Sequence, residues 1–479
     1  MNFCKILLEI TVPMKYAKIT LYSFLAYFFT GAIVSFMLPA RKHPRPESTS
    51  KLADQWYDKN VHCPDKVKLI ADPGDALRLR LALLRNAKQE IVLTTFAFTN
   101  LECGTAFLSE ILQAADRGVK VRIIIDAKMG KLSIHTIRKL SQHPMIEFSR
   151  YNPLNILLPW TIQEDMHDKM MIVDRTYALL GGRNMEPSYF GLNEPASGNK
   201  ADWDVFVFKD PEGSEALSVV DSLSAYFELL WQNRSNKIVR SKAQEADAFD
   251  EIHAVGQKFR SAHPEFYHTI LEDFTRDMIR PCRIKLLHNP LNSGRKEPWV
   301  IQDLTEIAAH AEDSLYIQTP YATATIAILS LLKTAASRFH VIYISNSFYS
   351  ANNPPAYANY YFQRRKFVRT GIHIYEYQGD NPLHGKSMVF DEHITLVGSF
   401  NLDSRSVYLD TETMLAIDSE EFTKSFLHEG SNIMKQSLRV GPDNCYLPSD
   451  SVEEGVPPFK KRVVYFVFFV ALRPIQFYL

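Results

Sequence analysis

The chain has 479 residues, of which 46% are hydrophobic and 23% are charged. This length and apolar content predict a globular protein with enough core for two domains. Because 54 basic residues balance 54 acidic ones, the chain lacks the basic excess that is typical of proteins that bind long nucleic acids. The five cysteines are odd in number and scattered, so they predict no disulfide framework.

Residues 1–45 are predicted to form a hydrophobic membrane anchor or a signal-like segment. The stretch 19–38 carries no charge, and about twenty apolar residues suffice to span a bilayer as a helix. Basic residues flank it on both sides, so its orientation stays open. A cleaved signal peptide, for which Leu38–Ala40 is a poor cleavage site, and a buried helix are the alternatives. A palmitoyl chain on Cys4 is a further option.

Residues 60–234 are predicted to form a first α/β half. Short apolar runs at 91–98, 119–126 and 146–149 are typical of buried strands, with a helical pattern at 104–116 between the first two. The most informative stretch follows them, as His167, Lys169, Asp174, Gly182 and Asn184. On an extended segment, His167 and Lys169 point to the same side, because side chains alternate along a strand.

The same pattern recurs after 217 residues, counted from His167 to His384, and both copies fit H-x-K-x4-D-x6-G-[GS]-x-N. The second copy consists of His384, Lys386, Asp391, Ser399 and Asn401. One match has a chance probability on the order of 10⁻⁸ per starting position, so two copies indicate a duplication. Each copy predicts a hairpin with its turn at 174–176 or 391–393. Asp174 and Asp391 lie at these turns, where capping or a salt bridge explains them better than chemistry does.

Each copy brings an imidazole, an ammonium group and an amide to one place, and its glycines let the backbone approach a ligand. Two facing imidazoles can divide the cleavage of a phosphodiester. One attacks phosphorus, while the other protonates the leaving oxygen and then activates water or an alcohol. The lysines and asparagines would stabilise the phosphoryl oxygens. No metal or other cofactor is expected, since the lysines neutralise the anion and the sequence lacks residues at metal-ligand spacing.

Two acidic residues are expected to complete the site. A carboxylate that accepts the second N–H of an imidazole fixes its tautomer and raises its basicity. Glu412, which lies 28 residues after His384, fits this role. Asp204 lies 37 residues after His167, but a loop lengthens that interval and leaves Asp202 as a rival.

The two halves repeat each other in order. Segments 91–98, 119–126, 146–149 and 203–208 correspond to 315–321, 340–346, 372–375 and 412–417. The alternation of strands and helices predicts two α/β/α sandwich halves, 60–234 and 266–440, with pseudo-twofold symmetry and the site at their junction. A charged stretch, 235–265, is predicted to be the helical linker.

Residues 441–479 are predicted to be a membrane-contact tail. Lys460–Arg462 precede ten apolar residues, which are too few to span a bilayer but suit an anionic membrane surface. A packed terminal strand is the alternative. Apolar side chains in the loop 154–160 and in Tyr357–Phe362 also favour a substrate with acyl chains.

The double motif resembles the phospholipase D superfamily, and its detail is most similar to bacterial cardiolipin synthase C-like and phospholipase D-like proteins. Further similarity lies in 112–122, Arg150–Pro153, Tyr189–Phe190, 227–233 and Asp403–Ser406. The resemblance implies the duplicated phospholipase D fold. It also implies that His167 is the nucleophile, which forms a covalent phosphatidyl-histidine, and that His384 is the general acid and base.

The resemblance implies a membrane-associated enzyme that acts on glycerophospholipids, either at a bacterial membrane or, if secreted, at a host membrane. Hydrolysis to phosphatidic acid and a free head group is the expected reaction. Transfer to phosphatidylglycerol or another alcohol, as in cardiolipin synthases, is the alternative. A nuclease and a non-catalytic membrane-binding protein are more distant alternatives, and the neutral charge and apolar ends count against the nuclease. Because both motifs lie in one chain, the monomer is expected to be active.

Overall fold

Two sheets of eight strands form the framework of the protein. The computed structural model describes residues 63–193, 198–213, 217–241 and 249–472, and, before these, residues 16, 18–32, 34, 38–40, 42–43, 45 and 56. The first sheet contains β1 Asp65–Ile70, β2 Glu90–Thr95, β3 Lys120–Asp126, β4 Ile146–Tyr151, β5 Met170–Val173, β6 Tyr177–Gly181, β7 Asp204–Lys209 and β8 Asn236–Val239. The second contains β9 Arg283–His288, β10 Ser314–Gln318, β11 His340–Asn346, β12 His373–Tyr377, β13 Lys386–Phe390, β14 Ile394–Gly398, β15 Thr413–Asp418 and β16 Ser437–Arg439.

The two sheets have the same topology. Their orders are β1-β7-β6-β5-β2-β3-β4-β8 and β9-β15-β14-β13-β10-β11-β12-β16. Strands β2, β3 and β4 of the first sheet pair in parallel, and so do β10, β11 and β12 of the second. The remaining neighbours in each sheet pair antiparallel. The predicted hairpins are present as β5–β6 and β13–β14. The duplicated α/β fold is confirmed.

Helices cover the sheets and connect the parallel strands. They are α1 Pro73–Asn86, α2 Glu102–Asp116, α3 Ile134–Leu140, α4 Val219–Trp231, α5 Asp250–Ala262, α6 Leu271–Thr275, α7 Trp299–His310, α8 Ile326–Ala336, α9 Pro354–Val368, α10 Ser404–Tyr408, α11 Glu420–Met434 and α12 Phe459–Leu472. Local sequence explains several starts: Asp72 caps α1 just before Pro73, and Thr325 caps α8.

The strands bury both faces, one toward each half's own helices and one toward a core that the halves share. In β2, Ile91 and Leu93 pack within the first half, whereas Val92 faces the shared core. That core also contains Val389 and Leu415 of the second sheet. Alternation along each strand therefore produces one continuous apolar junction, and the site lies at its rim.

The predicted linker needs a correction. Residues 236–239 form β8, which pairs with β4 at the edge of the first sheet. The predicted helix is present as α5, but Ile252 and Phe259 pack into the first half's core. The segment therefore belongs to the first half, because the edge of β4 offers unpaired backbone groups that β8 satisfies. Residues 242–248 lie outside the described part.

The ends of the chain also differ from expectation. Within the described residues, no helix is long and apolar enough to cross a membrane, so the predicted spanning helix is not supported. Residues 18–32 are helical, while parts of the predicted 19–38 span, together with Cys4, lie outside the described residues. The apolar tail is helix α12, which makes the alternative of a packed strand wrong.

Candidate active site

Each motif histidine lies on a segment that pairs with the opposite half. Met166 forms a β-bridge with Thr411, and the His167 N–H donates to the Thr411 carbonyl at 3.3 Å. In the same way, Ala201 bridges Leu383, and the His384 N–H donates to the Ala201 carbonyl at 2.7 Å. These contacts bring both histidines to the junction between the halves.

The bridges also decide which carboxylate supports which histidine. A Glu412 oxygen lies 3.0 Å from Nδ1 of His167, and an Asp202 oxygen lies 2.6 Å from Nδ1 of His384. Both carboxylates are buried. Each imidazole is therefore oriented by a carboxylate of the other half. The intervals along the sequence had instead associated each histidine with a carboxylate of its own half. Because Nδ1 is occupied, Nε2 is the ring atom left for chemistry in both histidines.

Asp204 does not support a histidine, so that prediction is wrong. Its carboxylate accepts hydrogen bonds from Arg80 at 2.9 Å and from Arg183 at 3.1 Å. Asp204 begins β7, where its side chain faces α1, while Asp202 lies before the strand and reaches the junction. The rival named from the sequence is the residue in the site.

The small residues of the motifs make room for these carboxylates. A Cβ on Gly182 would lie 2.2 Å from an oxygen of Asp202, so only glycine fits there. At the equivalent position the Ser399 hydroxyl donates to Glu412, and Ser406 donates to the same carboxylate at 2.5 Å. The small residues were expected to let the backbone approach a ligand. In the structure they let the backbone approach the supporting carboxylates instead.

The two motif lysines are almost completely buried. Burial lowers the pKa of Lys169 to about 8 and that of Lys386 to about 7, although nearby carboxylates oppose the shift. Lys386 Nζ donates to the His384 carbonyl at 2.5 Å, and Lys169 lies over the Phe96 ring. Two cations held without their hydration shells create a strong preference for an anion at this place.

Burial also acts on the acid–base groups. It lowers the pKa of both His167 and His384 well below the ordinary value, and the motif lysines add to the effect. It raises the pKa of Glu412 to about 7, while Lys169 opposes the shift. A neutral imidazole is the form that can attack phosphorus, so a lowered pKa suits a nucleophile. A histidine that acts as general acid must gain its proton against this shift.

A cavity of about 270 Å³ opens beside His167. Its polar lining includes Asn401, Asn359 and Asp403, and its apolar lining includes Phe96 and Met129. The Oδ1 atom of Asn401 has no hydrogen-bond partner among the described residues. Asn401 lies in the wall of this cavity, and the NH₂ group of its amide, rather than this oxygen, is the part that can donate to a phosphoryl oxygen.

The surroundings of His384 contain a residue whose position the sequence did not indicate. The Tyr189 hydroxyl lies 3.2 Å from Nε2 of His384 and accepts hydrogen bonds from Asn184 and Lys200, each at 3.0 Å. Asn184 also accepts from the Ala97 N–H at 3.3 Å. Unlike Asn401, Asn184 is thus engaged within the protein. The only signal in the sequence was that Tyr189 follows the first motif.

The motif aspartates have structural contacts, as predicted. Asp174 accepts from the backbone N–H groups of residues 88–90, and Asp391 accepts from those of residues 312–314. Both have positive φ angles, 53° and 51°. They join each motif hairpin to the start of the neighbouring strand, β2 or β10.

Comparison with known proteins agrees with this geometry. The family model "Cardiolipin synthase, PLD-like domain" matches residues 81–231 and 304–433, which is more than half of the chain and includes both motifs. The chain belongs to this family. It is thus a cardiolipin synthase-like member of the phospholipase D superfamily.

Individual relatives extend over most of the chain. An uncharacterized protein of Helicobacter pylori strain 26695 is 25% identical and covers 92% of this chain and 94% of its own length. Cardiolipin synthase C of Escherichia coli K12 is 25% identical and covers 72% of this chain and 80% of its own length. The crystal structure of phosphatidylserine synthase from Haemophilus influenzae Rd KW20 has the same fold, with a TM-score of 0.60 at 17% identity over 90% of this chain and 100% of its own.

Proposed function

We propose that the protein transfers a phosphatidyl group from one phospholipid to an alcohol through a covalent phosphatidyl-histidine. The observation that carries the proposal is the crossed pairing of His167 with Glu412 and of His384 with Asp202. It leaves two Nε2 atoms and two buried ammonium groups at one junction. The similarity to cardiolipin synthase C supports phosphatidylglycerol as acceptor and cardiolipin as product.

In the first step, Nε2 of His167 attacks phosphorus and forms an N–P bond. The bond from phosphorus to the head-group oxygen breaks, and this oxygen takes a proton from Nε2 of His384. Glu412 stabilises the positive charge that develops on His167. The ammonium groups of Lys169 and Lys386, with the amide of Asn401, stabilise the negative charge on the phosphoryl oxygens.

In the second step, the acceptor hydroxyl attacks phosphorus from the side that the head group left. Nε2 of His384 takes the hydroxyl proton, an O–P bond forms, and the N–P bond to His167 breaks. The proton that His384 gave in the first step is thus returned in the second, so transfer between alcohols has no net proton change.

The enclosure of the site favours an alcohol over water as acceptor. Both histidines are less than one-tenth exposed, and the lining of the cavity beside His167 includes the carboxylate of Asp403. A glycerol head group can place one hydroxyl on this carboxylate while another attacks phosphorus, which one water molecule cannot do. Hydrolysis to phosphatidic acid is then the competing, slower reaction.

Helix α12 supports contact with a bilayer. Tyr465 and Phe469 pack onto α9, whose residues Pro355 and Asn359 line the cavity beside His167. The outward face carries exposed apolar side chains, Val463, Val464, Phe466, Val467 and Val470, next to Lys460, Lys461 and Arg462. Lys461 donates to the Tyr349 carbonyl, so the exposed cations beside this apolar face are Lys460 and Arg462. An apolar face beside exposed cations matches an anionic membrane surface.

The reaction is tested by incubating purified protein with phosphatidylglycerol vesicles, with and without added glycerol, and separating the lipid products. We expect cardiolipin as the main product and its loss in His167→Ala, whereas His135→Ala, which removes an exposed histidine of α3, should behave as the wild type. Phosphatidic acid as the sole product in excess alcohol would make the protein a hydrolase. No product from any phospholipid would contradict the whole proposal.

The membrane contact is tested by vesicle flotation. Phe466→Glu with Val467→Glu should release the protein from phosphatidylglycerol vesicles, while Ile326→Glu, at an apolar position of α8 that is 89% exposed, should not. Binding should weaken in high salt, because salt screens the cations. Equal flotation of both variants would contradict a contact through α12.

A further inference from the structure

Tyr189 connects the first half of the protein to the second histidine. It follows the first motif, yet its ring packs edge-on against His384 with centroids 5.0 Å apart. Its hydroxyl lies 3.2 Å from Nε2, the ring atom that the proposed mechanism uses. The tyrosine is 1% exposed, so water does not compete for this contact.

The hydrogen bonds of Tyr189 determine the direction of its contact with His384. A hydroxyl has one proton to donate and two lone pairs to accept with. The amide of Asn184 and the ammonium of Lys200 occupy both lone pairs, each at 3.0 Å. The orientation of Asn184 is settled, because its oxygen accepts from the Ala97 N–H. The tyrosine proton is therefore directed at Nε2, which the Lys386 ammonium also approaches at 3.2 Å.

A line of charged groups leads from Tyr189 to solvent. Lys200 Nζ lies 4.2 Å from the centre of the Tyr189 ring and 3.8 Å from Glu186. Glu186 in turn pairs with Lys131, whose side chain is 55% exposed. A row of charged side chains thus runs from the buried imidazole toward solvent.

Among the residues that the structure describes, none donates a side-chain hydroxyl to Nε2 of His167 in this way. Ser406 holds the position in the second motif that corresponds to Tyr189, and its hydroxyl donates to Glu412 instead of to the imidazole. Nε2 of His167 is left to the cavity, where the substrate phosphorus must lie. The two histidines have otherwise equivalent surroundings, but a tyrosine hydroxyl contacts only His384.

We propose that Tyr189, held by Asn184 and Lys200, is a positioning residue that makes His384 the general acid and base. This inference rests on the proposed transfer reaction. When the tyrosine proton moves to Nε2, the tyrosine oxygen takes a proton from the Lys200 ammonium, and Lys200 regains one from solvent past Glu186 and Lys131. His384 is then an imidazolium that can protonate the leaving oxygen as the P–O bond breaks. When the acceptor hydroxyl returns a proton to Nε2 in the second step, the same relay runs in reverse and releases the proton to solvent.

The test compares two leaving groups in a single turnover. Glycerol, released from phosphatidylglycerol, needs a proton as it leaves, whereas p-nitrophenolate, released from phosphatidyl-p-nitrophenol, does not. In Tyr189→Phe we expect release of glycerol to fall at least about tenfold and release of p-nitrophenolate to stay within about threefold of wild type. His384→Ala should show the same selectivity more strongly.

Matched variants separate this role from general damage. Tyr343→Phe removes another buried hydroxyl, in the core of the second half, and should leave both rates unchanged. Lys200→Met should act like Tyr189→Phe, while Lys209→Met, at a half-exposed lysine of β7, should not.

Three results are informative. Equal slowing of both leaving groups in Tyr189→Phe would mean that the hydroxyl only supports the structure, which would overturn the inference. No slowing of either would overturn it as well. Failure of the wild type to release either group would instead contradict the proposed function, so the two failures are distinguishable.

Discussion

His167 and His384 occupy equivalent places in a duplicated fold, but the groups around them differ. The carboxylate behind His167 receives two serine hydroxyls, from Ser399 and Ser406, and the histidine lines an open cavity. The carboxylate behind His384 lies against Gly182, and Tyr189 covers Nε2 of the histidine. The two halves share one backbone framework. Their neighbouring side chains differ, so that His167 faces the cavity while Tyr189 covers Nε2 of His384.

This difference supports different tasks for the two histidines. An open Nε2 suits the atom that must reach phosphorus, while an Nε2 held by a proton donor suits the group that exchanges protons. The resemblance alone assigned these roles to His167 and His384, and the surroundings of each agree with that assignment.

The largest effect should come from the histidines themselves. His167→Ala should lower turnover of every substrate by at least about a thousandfold, because no covalent intermediate can form. His384→Ala should still label His167 with phosphatidyl-p-nitrophenol, and rapid denaturation followed by peptide mapping would locate the label. A label on the peptide that contains His384 would exchange the two roles.

The lysines should come next. Lys169→Met and Lys386→Met should each lower kcat by about a hundredfold to a thousandfold, because each removes a preorganised positive charge from the phosphoryl oxygens. Steady-state kinetics on dispersed lipid would measure this. Lys88→Met, at an exposed lysine outside the site, is the control, and a loss of similar size there would point to nonspecific damage.

Asp202 and Asp204 offer a sharper contrast, since they are two residues apart and both buried. Asp202→Asn should lower kcat about tenfold to a hundredfold with little change in Tm, because it disturbs only the orientation of His384. Asp204→Asn should cost about 3 kcal/mol of stability or more, since it leaves Arg80 and Arg183 without their shared partner. Thermal unfolding and the activity of the folded fraction test this, and the reverse pattern would restore Asp204 to the site.

The pH dependence should be bell-shaped. Glu412, whose pKa burial raises to about 7, supports His167 only as a carboxylate, so kcat/KM should fall as pH drops below about 7. Lys386, whose pKa burial lowers to about 7, must be an ammonium group, so kcat/KM should also fall as pH rises above about 7. In the pH profile of kcat, the alkaline limb should lie at higher pH than in that of kcat/KM. The phosphate group of the bound substrate stabilises the ammonium form of Lys386 and so raises its pKa. A flat profile between pH 5.5 and 9.5 would contradict these assignments.

The smallest effect should be that of a chelator. Excess EDTA should leave the rate on detergent-dispersed phosphatidylglycerol unchanged, since Lys169 and Lys386 supply the positive charge that a divalent ion supplies in other phosphoryl-transfer sites. Complete loss of activity, restored only by a stoichiometric divalent ion, would mean that the lysines do not serve this purpose.

Much of the architecture could be predicted because it depends on local patterns. The repeated spacing from His167 to Asn184 and from His384 to Asn401 requires two equal hairpins, since a hairpin fixes the distance along the chain between its strands. The turn positions of Asp174 and Asp391 followed for the same reason. The boundary at residue 235 could not be predicted, because whether 236–239 becomes a strand depends on the open edge of β4.

The duplication, the order of the apolar strands and the six motif groups could be read from the sequence, because each depends on spacing and periodicity along one chain. The pairing of Glu412 with His167, the presence of Asp202 in place of Asp204, and the contact of Tyr189 with His384 depend on the folded structure. These are contacts between the halves or between neighbouring elements, over separations from 182 to 245 residues where the halves meet. No interval in the sequence encodes them, since they arise only when two β-bridges join the halves.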